Sequence, residues 1–139
     1  MKVRISSVAI LTLALSWAAL AQSSSPMREG MWEVNSKLNI PGMEGLPPMK
    51  QQQCITPAMI KDPQLAIPKI DNDCKISDYK LEASTATYTL TCTQPAAVTA
   101  TGEIKYSGTD AYTGTLKIEG AGQVFTVTYD AKRTGDCAK

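Results

Sequence analysis

Four cysteines, five methionines beyond Met1 and no histidine set the range of chemistry open to this 139-residue chain. Without histidine the usual general base at neutral pH is missing. No Gly-x-Ser-x-Gly elbow and no phosphate-cradling glycine loop replaces it. Carboxylates come close in sequence at Asp71 and Asp73, and Asp110 stands near Glu119. Acids in turns are ordinarily solvated, and the many serines and threonines read as strand surface, not nucleophiles. These residues describe a chain that is not an enzyme and that calls for no cofactor.

Two residue classes still admit binding chemistry. Met27, Met31, Met43, Met49 and Met59 crowd the region before residue 60. Thioethers are soft ligands suited to Cu(I), and Met43 and Met49, in or beside a loop, are the candidate pair. The competing reading is that methionine fills gaps in a small core and a loop. The second class is aromatic: Trp32, Tyr79, Tyr88, Tyr106, Tyr112, Phe125 and Tyr129. Trp32, Tyr88, Tyr106, Phe125 and Tyr129 are candidates to line a cavity for a small apolar ligand, as in a lipocalin-like carrier. The preferred alternative is that all seven rings fill the interior.

The cysteines favour crosslinks over metal. No two of Cys54, Cys74, Cys92 and Cys137 are two to four residues apart, so a structural zinc site has no ligand set. An even number in an exported chain reads as two disulfides. The register of one hairpin selects the pairing. Ala86, Tyr88, Leu90 and Cys92 alternate with Thr85, Thr87, Thr89 and Thr91, a period of two. On the preceding arm Leu81 and Tyr79 share one parity while Ile76 and Cys74 share the other. A one-residue bulge at Ser77–Asp78, its first residue near the right-handed helical region, restores a common face. With a tight turn at Ala83–Ser84, Leu81 opposes Ala86, Tyr79 opposes Tyr88 and Ile76 opposes Leu90. Cys74 then falls opposite Cys92, which leaves Cys54 for Cys137.

Export is expected from the first 21 residues. Lys2 and Arg4 precede an apolar run from Val8 to Ala21, ending in the small-x-small site Ala19, Leu20, Ala21. The run is shorter than the ~20 residues that cross a bilayer, so it reads as a cleaved signal peptide, with no membrane span afterwards. Cleavage before Gln22 removes 21 of 139 residues and leaves 118, enough for one domain with a modest core. It also removes two of 14 basic residues, so 12 face 13 acidic ones. Such a balance, with signs interspersed, offers nothing to nucleic acid. The partner is expected to be an unidentified envelope protein or a small apolar ligand.

The elements that position these residues are mostly strands. Residues 22–27 read as a flexible leader and 28–139 as a single disulfide-stapled β-domain. Trp32, Val34, Leu38 and Ile40 share a face of a first strand at 30–40. Three prolines and two glycines make 41–48 a loop, and 49–55 reads as a polar strand whose glutamines suggest a solvent-facing or edge position. Thr56 and Pro57 start a short helix that Pro63 ends, with Ala58, Met59 and Leu65 able to lay it on the sheet. Alternation through Ile104, Leu116 and Val127 makes 98–130 a three-strand meander, with Gly102 facing Leu116 and Gly114 facing Tyr129. Residues 132–137 form a tail that carries Cys137 back. The fold class is mostly β: an antiparallel up-and-down meander, strongly coiled or an incomplete barrel, plugged by the helix. A two-sheet sandwich is the alternative.

The assembled pattern resembles the DUF3617 domain family. The pieces that carry the resemblance are REGMWE at 28–33, PGM at 41–43, QCITP at 53–57, DCK at 73–75, Cys92, GEIKYSG at 102–108, YTGT at 112–115 and KRTGDC at 132–137. They span nearly all of the chain after the leader. The resemblance implies a small exported protein of a Gram-negative bacterium, periplasmic and of unknown function, and it supplies no catalytic residues. Family members often carry glycine in the cysteine-hairpin turn, where this chain has Ala83 and Ser84.

Overall fold

The computed structural model describes residues 24–67, 73–94 and 96–138. The expected signal peptide, Gln22 and Asp71 lie outside them. The described residues build one antiparallel sheet of seven strands. In chain order these are β1 (Gly30–Asn39), β2 (Met49–Ile55), β3 (Cys74–Glu82), β4 (Thr85–Cys92), β5 (Val98–Tyr106), β6 (Ala111–Gly120) and β7 (Gln123–Gly135). One short helix, α1 (Pro57–Lys61), and a single 3₁₀ turn, Pro63–Ala66, join β2 to β3.

The spatial order is β2-β1-β7-β6-β5-β4-β3. Strands β3 to β7 are the expected meander. The last strand then pairs with the first, from Met31 opposite Gly135 to Asn39 opposite Thr126. The sheet is therefore open between β2 and β3, its two edges, and α1 belongs to the link between them. β7 is longer than the alternation up to residue 130 implied. The expected tail continues the strand through Gly135, because β1 offers its free side to that stretch.

Period-two alternation sorts the side chains onto two faces. The outer face carries Thr87, Thr89, Thr101, Thr115 and Thr128 among lysines and carboxylates. On the inner face Trp32, Val34, Ile55, Ala86, Tyr106 and Ala131 form one buried cluster with Met27. Trp32 is fully buried, and its indole Nε1–H donates to the Arg28 carbonyl at 3.1 Å. That bond satisfies the one polar atom a core tryptophan carries. Cys74, Leu90, Cys92 and Ala100 form a second cluster, with Ile76, Val98, Leu116 and Ile118 against it.

α1 starts as its residues dictate: the Thr56 hydroxyl accepts from the Met59 N–H, and Pro57 occupies the first turn. Asp62 then caps the 3₁₀ turn, accepting from the Gln64 N–H. The face turned to the core differs from expectation. Met59, Ile60 and Ala66 pack on the first cluster, whereas Ala58 and Leu65 are exposed. The break at Pro63 changes the helical phase, so one register cannot serve both turns. The leader also differs. Ser25 and Met27 are buried, and the Ser25 N–H donates to the Ile60 carbonyl at 2.9 Å. Met27 supplies apolar surface that the polar composition of 22–26 obscures.

Candidate functional site

Both disulfides pair as the hairpin register requires. Cys74 faces Cys92 across β3 and β4, with Cα atoms 4.0 Å apart. Cys54 joins Cys137 with Cα atoms 5.5 Å apart, tying edge strand β2 to the chain just after β7. The bulge lies one residue later than Ser77–Asp78: Ser77 still pairs with Thr89 and Lys80 with Thr87, so Asp78 and Tyr79 both face Tyr88, and the first bulged residue, Asp78, takes φ 54°, in the left-handed region instead of the right-handed one expected of the first residue. Aspartate tolerates that region better than most residues, which removes the need for glycine there. Ala83 in the turn also has a positive φ, 52°.

The inner face brings the aromatic candidates together. Trp32 and Tyr112 have ring centroids 5.4 Å apart, Tyr112 and Tyr129 6.1 Å, and Tyr106 and Tyr112 6.2 Å. The rings are tilted or edge-on, the preferred geometry for packed aromatics. Tyr88 reaches over Gly102 and Tyr129 over Gly114. A Cβ on either glycine would fall inside the ring above it, so these residues are small because the tyrosines need their space. Phe125 sits opposite Ile118 on the same face but is only half-buried. The candidates Trp32, Tyr88, Tyr106 and Tyr129 thus contact packed neighbours, while Phe125 lies towards the far end.

The five hydroxyls share this environment. Burial pushes the Tyr112 hydroxyl up to about 12, with Tyr106 and Tyr88 adding to the shift. Burial likewise raises Tyr129, and its neighbour Tyr88 raises it further. Tyr88 is raised by burial and eased by a hydrogen bond with Tyr129. Tyr106 is raised by burial, with the Ser25 hydroxyl working against the shift. Tyr79 is raised by burial; its oxygen faces Tyr106 without a well-formed hydrogen bond. The raised values keep these phenols protonated at neutral pH.

The methionines divide between core and surface. Met27 is buried and Met59 packs against the same cluster. Met43 and Met49 are 55% and 61% exposed. Met43 donates its N–H to the Ile40 carbonyl at 3.0 Å and lines a groove of about 590 Å³ between the β1–β2 loop and the start of β7. Leu38, Ile40, Pro41 and Val124 supply the rest of its apolar wall, with Lys37 and Glu44 flanking. Val124, 43% exposed, was not singled out in the sequence, because its outward position among threonines resembles ordinary strand surface. Met49 opens β2 opposite Ser36.

A second groove, of about 520 Å³, lies beside α1 and is lined by Met27, Ile60, Lys61, Arg28 and Arg133. Its two arginines are already engaged. Arg28 pairs with Asp110 at 2.8 Å, and Arg133 with Asp136 at 2.7 Å while donating to the Glu29 carbonyl. Among the described residues no group of three or more His, Cys, Asp or Glu is placed to hold a metal ion. No helix among them is long and apolar enough to cross a membrane.

No curated protein and no solved structure matches this chain. A family model does match, over residues 27–137, and its description is a protein of unknown function. That span runs from the first core methionine to the last disulfide cysteine, and the chain belongs to the DUF3617 family.

Proposed function

We propose that this chain is an exported, non-catalytic binding module of the bacterial envelope, released into the periplasm by cleavage before Gln22. On this reading it docks an envelope protein through the groove at the β1–β2 loop. The observation that carries the reading is the pair Met43 and Val124, two large apolar side chains exposed on one groove. Exposed apolar residues gathered at one place are characteristic of interaction sites. The sheet is taken to be coiled into an incomplete barrel. In support, one buried cluster unites Trp32 of β1 with Ala86 of β4, and Tyr79 and Leu81 of β3 pack on it. Those strands are far apart in the sheet order, a separation that a curled sheet would close.

Native mass spectrometry of protein purified from the periplasm tests the proposal. A co-purifying protein is expected with the wild type and is expected to be lost in a Met43→Glu/Val124→Glu variant. A small apolar molecule retained equally by both would instead favour a lipocalin-like carrier using the inner face. A second reading, envelope Cu(I) handling, is favoured by the exposure of Met43 and Met49. It expects Cu(I) affinity in a competition assay that falls when both become leucine. A wild type without affinity removes it.

A further inference from the structure

We infer that the free edge of β2 is a self-association surface, on which a second copy of this chain pairs strand to strand. This goes beyond the groove proposed above and stands or falls without it. Open sheets expose unpaired backbone groups at both edges, and proteins usually obstruct such edges. Here one edge is obstructed far more than the other. β3 is broken by the bulge at Ser77–Lys80, with Asp78 in the left-handed region, and it carries exposed Lys75, Lys80 and Glu82.

β2 has no bulge and a single exposed charge, Lys50. It pairs with β1 through seven consecutive residues without a register shift, and it contains no proline. Met49 to Gln52 are exposed, and among the described residues no strand pairs with their other side. The disulfide from Cys54 to Cys137 anchors the strand to the chain beyond β7. Its one charge, Lys50, is matched within its own subunit by Glu33 at 3.0 Å.

The residue pattern fits a copy of itself. A two-fold antiparallel pairing centred on Gln51 places Gln51 against Gln51, Lys50 against Gln52 and Met49 against Gln53. Every glutamine amide can both donate and accept. No lysine meets a lysine, and the exposed Met49 gains a neighbour. An isologous contact of this kind closes as a dimer and cannot propagate.

Charge reversal at the centre tests the pairing without altering the backbone. The full chain, expressed with its leader in a Gram-negative host, is examined by analytical ultracentrifugation at tens of micromolar. The wild type is expected at twice the monomer mass. Gln51→Lys and Gln51→Glu are each expected as monomers with unchanged circular dichroism, and an equimolar mixture as dimers again. A wild type that stays monomeric into the millimolar range overturns the inference. So do charged variants that dimerise as the wild type does, or a wild type whose edge is taken by a different protein.

Discussion

The two tyrosines that cover glycines make the state of the inner face measurable. Tyr88 is 5% exposed and lies directly over Gly102 on the neighbouring strand. A buried tyrosine removes ~200 Å² from water, worth ~5 kcal/mol at ~25 cal/mol per Å². Tyr88→Ala therefore costs about 3–5 kcal/mol if the neighbours cannot collapse into the void. Gly102→Ala alone puts a methyl where the ring sits and costs about 1–3 kcal/mol through overpacking. In the Tyr88→Ala background the same methyl enters vacated space. There the strand preference for alanine over glycine adds about 0.5–1 kcal/mol of stability. The double variant is thus expected to be more stable than Tyr88→Ala, with a coupling energy of roughly 1.5–4 kcal/mol, towards or beyond the upper end for residues in contact. Guanidinium unfolding with both disulfides intact, analysed by linear extrapolation, measures all four corners of the cycle. Additive costs would refute the contact. A Tyr88→Ala variant losing under about 1 kcal/mol, beside a wild type that binds a fluorescent fatty-acid probe at micromolar concentration, would refute the packed interior.

Three further outcomes are expected. Ala83→Gly should stabilise the protein by about 0.5–1 kcal/mol, because an L-residue with φ 52° is strained by roughly 1–2 kcal/mol and glycine returns part of that relief as chain entropy; a lowered thermal midpoint would contradict it. Non-reduced peptide mapping should link Cys54 to Cys137 and Cys74 to Cys92. Replacing each pair by alanine should cost about 4–5 and about 3 kcal/mol in the chain-entropy picture, since the loops close over 83 and 18 residues; equal costs would show that strain or residual structure dominates. The fold should weaken in alkali. The tyrosines are raised above their unfolded value of 10.0, so above that pH the unfolded chain releases protons that the fold retains. Their contribution is full below pH 10 and is lost as pH rises towards 12, about 2–3 kcal/mol for Tyr112 alone. Phenolate absorbance and unfolding midpoints titrated together check this, and tyrosines that ionise near pH 10 before any unfolding would contradict it.

What the sequence made legible follows from how local each determinant is. The cysteine hairpin was readable because its two arms are adjacent and its parity conflict has one cheap repair, so Cys74 had to meet Cys92. The glycines opposite Leu116 and Tyr129 were readable from the same alternation, one turn at a time. Pairing of β1 with β7 joins residues about a hundred positions apart, and period-two alternation is silent on which free side a strand will choose. The tail 132–135 therefore carries no strand signal of its own, and β1 is what makes it a strand. Met27 and Ser25 were obscured for a related reason: their burial depends on α1 arriving above them, as the bond from Ser25 to the Ile60 carbonyl records. The sites are less legible still. Catalytic groups announce themselves by residue type, whereas a docking surface is built from residues that are ordinary one by one. Val124 among threonines and Gln51 among glutamines differ from strand surface only in what the fold leaves uncovered beside them. A test of the proposed docking therefore acts on surfaces, with charge placed at Gln51 or Met43.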